Sequence, residues 1–201
     1  MIAIIDYGVG NLKSVYKALN NLGYQAQVVT TNKEIERSHA VILPGVGAFK
    51  DAMAQLRSSG LVEGLLKSIE AGKPVLGICL GMQLLYEKSF EDGEWEGLGL
   101  LKGEIVRFDN GLKVPHMGWN QLKKNVEDPI GRGLSNEEYV YFVHSYYLKE
   151  KEEKEVVYYC EYGVDFPAVV RKDNIIGMQF HPEKSGKTGI KLLTNFGELI
   201  K

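Results

Sequence analysis

The chain has 201 residues, 44% of them hydrophobic and 25% charged, with a net charge of −2. That length suits one domain with a full core, and the near-neutral charge supplies no bulk basic field for nucleic acid or an anionic membrane. No run approaches the roughly twenty apolar residues of a membrane span, and two cysteines, Cys79 and Cys160, make no disulfide framework, so a reduced, cytoplasmic protein is the expectation.

Ile2–Ile5 reads as the first strand; the apolar run from Met1 lacks a basic leader and is too short for a signal peptide. Leu12, Val15, Leu19 and Leu22 recur at helical spacing and predict a helix over Asn11–Leu22. Strands follow at Gln25–Thr30 and Ala40–Leu43, the second ended by Pro44, then helices at Ala48–Leu56 and Leu61–Ile69. A strand at Pro74–Ile78 leads into a helix over Met82–Glu87. Strands alternating with helices imply a parallel sheet covered on both faces. The second half changes character. Glu104–Phe108, Tyr139–His144, Val156–Tyr162, Ala168–Arg171 and Ile175–Phe180 read as strands with short connections, and Gly189–Leu199 as a closing helix. The mixed-sign run Lys149–Glu155 reads as a solvated hairpin turn. With no internal repeat and no linker, residues 1–201 are expected to form a single α/β domain. Its core is a flavodoxin-like, mostly parallel sheet with helices on both faces and an antiparallel extension in the C-terminal half.

Ligands in such sheets bind at the carboxyl ends of the strands, here the loops Tyr7–Asn11 and Pro44–Gly47 and the turn around Cys79. The first loop fails as a dinucleotide fingerprint, because the third glycine would fall at Lys13. Gly186-Lys187-Thr188 fails as a phosphate loop, because His181 stands where the upstream glycine belongs. Neither Cys-x-x-Cys nor His-x-x-x-His occurs, so no metal site and no cofactor is expected.

The segment Gly77-Ile78-Cys79-Leu80-Gly81 joins a buried strand to a helix with a nucleophile at the apex, the arrangement of a nucleophile elbow with Cys in place of Ser. Glycines on both flanks let strand and helix approach where a Cβ would clash. The following helix is expected to aim free N–H groups at the sulfur, favouring thiolate and oxyanion. A thiol also needs a base. Of four histidines, His39 sits in a polar turn, whereas His116, His144 and His181 lie in richer contexts. Only His181 has a carboxylate two residues on, Glu183, with Pro182 between to hold the segment extended. In an extended chain these two side chains share a face, which lets Glu183 orient the imidazole. Cys160, on a presumed strand, reads as inert. The oxyanion formed by thiolate attack on a carbonyl needs donors: the Leu80 N–H and one from the Pro44–Gly47 loop.

These motifs resemble the class I (triad) glutamine amidotransferases, on Gly77–Gln83 with His181-Pro182-Glu183. A narrower resemblance, to the glutaminase subunits of imidazole glycerol phosphate synthases, rests on Asp6–Leu12, Pro44–Phe49, Pro115–Asn120, Tyr141–Tyr146 and Phe180–Ser185, and spans essentially the whole chain. The resemblance implies glutamine hydrolysis through a glutamyl thioester, with Cys79, His181 and Glu183 as the triad. It implies that the Val46 and Leu80 peptides hold the oxyanion and that Gly47, Gln83, Glu91, Ser145 and Tyr146 hold L-glutamine. Glu91 suits the substrate ammonium group, although an acidic surface turn would carry the same residue; Gln83 suits either the substrate carboxylate or the helix start. The implied partner is a (β/α)8-barrel cyclase subunit that receives the ammonia for histidine biosynthesis, docked on Asn11, Met117, Trp119, Tyr141 and Lys184. For Met117, core packing competes with that role. Glutaminases serving other acceptors lack the His-Met-Gly-Trp-Asn segment, and a non-catalytic scaffold would not need all three triad residues.

Overall fold

The computed structural model describes residues 1–109, 111–135 and 137–200. The first half runs β1 (Ile2–Ile5), α1 (Leu12–Asn21), β2 (Ala26–Val29), α2 (Asn32–Arg37), β3 (Ala40–Gly45), α3 (Phe49–Ser58), α4 (Val62–Glu70), β4 (Val75–Cys79) and α5 (Leu80–Gln83). It continues with β5 (Lys88–Ser89), β6 (Trp95–Glu96), β7 (Gly103–Arg107), β8 (His116–Gln121) and β9 (Lys123–Lys124). The rest is β10 (Tyr139–His144), β11 (Tyr146–Glu150), β12 (Val156–Glu161), β13 (Asp165–Lys172), β14 (Ile175–Met178) and α6 (Gly186–Glu198).

Alternate residues of the short central strands feed two cores. Ile2, Ile4, Ile42, Leu76, Ile78 and Ile176 pack on one face with Val15 and Leu19 of α1 and Leu192 and Phe196 of α6. Ala3, Ile5, Val41, Leu43, Val75 and Ile175 pack on the other with Ile35, Phe49, Met53, Leu56 and Leu65 of α2, α3 and α4. A strand buried on both faces reads as a continuous apolar run, which is what β1, β3 and β4 show. They belong to an eight-stranded sheet of order β2-β1-β3-β4-β14-β13-β12-β9. The pairings from β2 to β14 are parallel and those from β14 to β9 antiparallel. The expected α/β domain with an antiparallel extension is therefore present.

Four local expectations need correction. β3 does not end at Leu43 but runs through Pro44 to Gly45, paired with Ile78 and Cys79 of β4. Val41 N–H points to the β4 side, so Pro44, of opposite parity, turns its missing donor toward β1, whose pairing ends at Ile42. α5 is one turn, not a helix to Glu87: the carbonyls of Leu84, Leu85, Tyr86 and Glu87 accept from N–H groups of residues 97–101 instead of continuing the helix. The C-terminal strands do not all extend one sheet: β10 pairs with β8, and β11-β7-β5-β6 form a third sheet. Lys149–Glu155 is no hairpin, because β11 pairs with β7 while β12 pairs with β13. Among the described residues no helix is long and apolar enough to cross a membrane.

Candidate active site

Cys79 ends β4 with φ 55° and ψ −115°, a conformation that costs a non-glycine residue of order 1–3 kcal/mol and is retained where the surroundings fix it. The surroundings here are backbone. A Cβ on Gly77 would lie 2.7 Å from Met82 Cα, and one on Gly81 would overlap the Leu43 carbonyl oxygen. The two flanking glycines thus let β3, β4 and α5 close around the cysteine, as their spacing in the sequence suggests. With only four residues, α5 has too few aligned peptides for a substantial macrodipole, so that part of the expected thiolate stabilisation is withdrawn.

β14 lies beside β4 in parallel register, Met178 opposite Ile78. The chain then bends and carries His181 to the same edge, where its N–H donates to Tyr141 O at 3.3 Å and its carbonyl accepts from Ser185 Oγ at 2.7 Å. Glu183 meets His181 Nδ1 through Oε1 at 3.0 Å, with side-chain exposures of 4% for His181 and 0% for Glu183. The contact forms, but not through an extended chain: Pro182–Lys184 is a single 3-10 turn that swings Glu183 back under the ring. Burial pulls the His181 pKa down, but the hydrogen bond and charge of Cys79, with those of Glu183, outweigh it and push it up to about 9. The imidazole is therefore built to hold a proton beside the sulfur.

The two side chains open onto a cleft of about 300 Å³ whose walls include Val46, Gly47, Leu80, Gln83, Glu91, Ser145 and Tyr146. The family model for the class-I glutamine amidotransferases matches residues 3–199. The chain belongs to the class-I glutamine amidotransferases. A relative from Caldanaerobacter subterraneus subsp. tengcongensis, described as imidazole glycerol phosphate synthase subunit HisH, is 55% identical over 201 residues, covering 100% of this chain and 99% of its own. The HisH subunit of Oceanobacillus iheyensis is 52% identical over 201 residues and covered in full, as is this chain. A solved structure of PurLQS from Thermotoga maritima shares the fold, with a TM-score of 0.79 at 22% identity over 100% of this chain and 98% of that one.

In this amidotransferase the remaining cleft residues are held by specific bonds. Gln83 Nε2 donates to Tyr146 O and to Gln179 Oε1, each at 3.0 Å, leaving Gln83 Oε1 for the cleft. Glu91 Oε2 accepts from Phe49 N at 2.6 Å and so ties the β5–β6 connection to the start of α3. Burial raises the Glu91 pKa, the Phe49 N–H opposes it, and Asp92 and Asp51 add to the rise. Trp95 Nε1 donates to Glu91 O at 2.9 Å, with Lys50 Nζ 4.3 Å from the indole centroid, bracing that connection. The buried Tyr7 hydroxyl donates to Pro44 O at 2.8 Å, anchoring the base of the Val46–Gly47 loop; burial, then the nearby Cys79, raises its pKa, so it stays a neutral donor.

Sequence reasoning missed Gln179, Tyr7 and the cleft wall formed by Pro115, Val143 and His144. His144 is no rival base. Its Nδ1 lies 2.9 Å from Tyr146 O and its Nε2 2.9 Å from His116 Nδ1. Burial, opposed by the Tyr146 carbonyl and aided by His116 and His181, pulls its pKa to about 3. His39 is exposed beside the N-terminal amine. Cys160 is 0% exposed on β12, and burial pushes its thiol up to about 12, which makes it a poor nucleophile. Among the described residues no group of three or more His, Cys, Asp or Glu is placed to hold a metal ion.

Around the cleft mouth, Met117 and Trp119 project from β8 at 60% and 54% exposure, so Met117 is not a core residue. Tyr141 faces Trp119 across the β8–β10 pair, ring centroids 5.9 Å apart, while Lys184 is exposed and Asn11 half-buried.

Proposed function

We propose that this amidotransferase is the glutaminase subunit of an imidazole glycerol phosphate synthase, with Cys79, His181 and Glu183 as its catalytic triad. One observation carries the reading. A cysteine in a strained backbone conformation at a strand end faces an imidazole that it holds protonated, and a buried carboxylate closes the row. The thiolate of Cys79 attacks the side-chain carboxamide carbon of L-glutamine, and the C=O electrons move onto oxygen. The Leu80 N–H and the Val46 peptide receive that oxyanion. The His181 imidazolium gives its proton to the nitrogen as the C–N bond breaks, releasing ammonia and leaving a glutamyl thioester. Neutral His181 then takes a proton from water, hydroxide adds to the thioester carbon, and the C–S bond breaks to give glutamate and the resting thiolate–imidazolium pair. Glu183 keeps the ring oriented throughout.

Glutamine is held by Gly47, Gln83, Glu91, Ser145 and Tyr146, with the Glu91 carboxylate toward the substrate ammonium. Exposed Met117 and Trp119, half-buried Tyr141, and Asn11 and Lys184 dock a (β/α)8-barrel cyclase subunit. Two large exposed apolar side chains beside the cleft mouth suit a seal against water, since free ammonia would protonate there. The relatives named as HisH subunits of imidazole glycerol phosphate synthase support the expectation of a partner subunit.

The test mixes the purified chain with a cognate cyclase and measures glutamate release with and without cyclase ligand. Low activity alone and strong stimulation in the complex are expected; equal turnover in all conditions refutes the docking. A glutamine-analogue electrophile should label Cys79, and labelling of Cys160 alone overturns the site.

A further inference from the structure

Gln179 follows β14, is 0% exposed, and comes level with Cys79 one step beyond the Met178–Ile78 pair. A buried glutamine carries two donor hydrogens and an acceptor that all need partners. Which end of its amide faces the sulfur follows from a single backbone group. Tyr146 O can only accept, and Gln83 lies against it at 3.0 Å, so the contacting Gln83 atom is the nitrogen. That same nitrogen lies 3.0 Å from the Gln179 side chain, so the Gln179 atom it meets is the carbonyl oxygen. The other end of Gln179 is then its NH2, and it faces Cys79 Sγ at 4.0 Å. A chain of oriented amides therefore runs from the cleft wall to the sulfur and ends on a donor.

We propose that Gln179 is a catalytic residue of this amidotransferase, donating its side-chain N–H to the Cys79 thiolate and holding the sulfur ionised and in a fixed rotamer. The proposal rests on the reading of Cys79 as nucleophile. A neutral thiol gains little from such a donor, whereas a thiolate gains a charge-assisted hydrogen bond. Gln179 differs from His181 in kind: an amide donates but never surrenders its proton, so it serves the thiolate before attack and again when the C–S bond breaks, without taking part in the proton transfers. It also offers the site a replacement for the helix dipole that a one-turn α5 does not provide. Gln83 would then have two duties, facing the cleft with its oxygen and fixing the Gln179 amide with its nitrogen.

The test is alkylation of Cys79 in the full chain by iodoacetamide, a small neutral electrophile, followed against pH and mapped to the cysteine by peptide analysis. The titratable groups that sense the Cys79 charge are His181 and Tyr7, and Tyr7 remains neutral, so the profile reports the sulfur and His181. In Gln179→Leu the acid limb of the alkylation profile is expected to move up by about one pH unit, so that the rate at a fixed pH on that limb falls about 10-fold. Gln179→Asn, whose amide is one methylene too short to reach both Gln83 and Sγ, should behave in the same way, and it decides the matter if the leucine variant does not fold. A folded variant with the wild-type profile overturns the role of Gln179 while leaving Cys79 as nucleophile. A wild-type Cys79 that reacts with neither iodoacetamide nor a glutamine analogue overturns the underlying reading instead.

Discussion

Replacing Cys79 by alanine should change the ionisation of His181. The imidazole is 4% exposed and titrates at about 9. Burial is the largest single influence on it and acts downward; Cys79, by hydrogen bond and charge, and Glu183 act upward and prevail. Cys79→Ala leaves Glu183 alone against burial, so His181 is expected to fall from about 9 to near or below its ordinary value of 6.5. At roughly 1.4 kcal/mol per pH unit this is a loss of about 3 kcal/mol of coupling. Because the folded-state pKa lies above the unfolded one, the protonated ring favours the native protein. That stabilisation is complete below about pH 6.5, declines through the window from 6.5 to about 9, and is gone above it. Urea unfolding at several pH values across this window should show a decline for the wild type that is absent or much smaller in Cys79→Ala, and an NMR titration of the His181 ring proton should give the pKa directly. If His181 still titrates near 9 without the sulfur, or the two proteins lose stability in parallel, the coupling between Cys79 and His181 does not exist.

Glu183→Gln keeps the shape of the side chain but removes the charge behind His181. The His181 pKa should drop by less than in Cys79→Ala, and glutamine turnover in the complex by about 10²- to 10⁴-fold; turnover within a factor of ten of wild type removes Glu183 from the triad. Gly81→Ala places a methyl on the Leu43 carbonyl, with backbone of Leu43 and Pro44 on the same side. A destabilisation of about 3 kcal/mol is expected from the urea midpoint, at the upper end for overpacking; a midpoint unchanged from wild type means the elbow can open. Tyr7→Phe strips the donor from Pro44 O. The orphaned carbonyl should cost about 1–2 kcal/mol in thermal unfolding, and hydrolysis should slow as the Val46–Gly47 loop loosens, whereas unaltered turnover would separate that loop from Tyr7.

The central sheet was legible because burial on both faces leaves unmistakable apolar runs in β1, β3 and β4. What escaped depends on partners distant in sequence. α2 is only six residues long, and its signal was the capping box in which Thr31 Oγ1 accepts from Glu34 N. β8 contains Gly118 at φ 140° and few β-branched residues, so only its pairing with β10 reveals it. Met82–Glu87 has helical periodicity, but tertiary bonds to residues 97–101 take its carbonyls. In the site, Cys79, His181 and Glu183 carry local signatures, glycines at fixed offsets and a proline between acid and base. Gln179 carries only its parity with His181 two residues later; its meaning comes from Gln83 and Tyr146, far away in the chain.

The shortness of α5 shifts the electrostatic account of the whole site. A long helix behind the elbow would stabilise thiolate and oxyanion alike, with no moving parts. One turn cannot do so, which on the proposed mechanism leaves the thiolate to the side chains of His181 and Gln179 and the oxyanion to the individual N–H groups of Leu80 and the Val46 loop. The two charges are then served by separate donors. Those facing the thiolate are buried and fixed by bonds to Glu183 and Gln83. The loop that would serve the oxyanion is surface chain, with Val46 40% exposed and Gly47 at φ 93°. Such a division would fix the surroundings of the nucleophile while leaving the transition state under the control of a loop that a docked partner could reach. A control of that kind acts on turnover and spares the reactivity of the sulfur toward a neutral electrophile, because alkylation develops no oxyanion for the loop to hold.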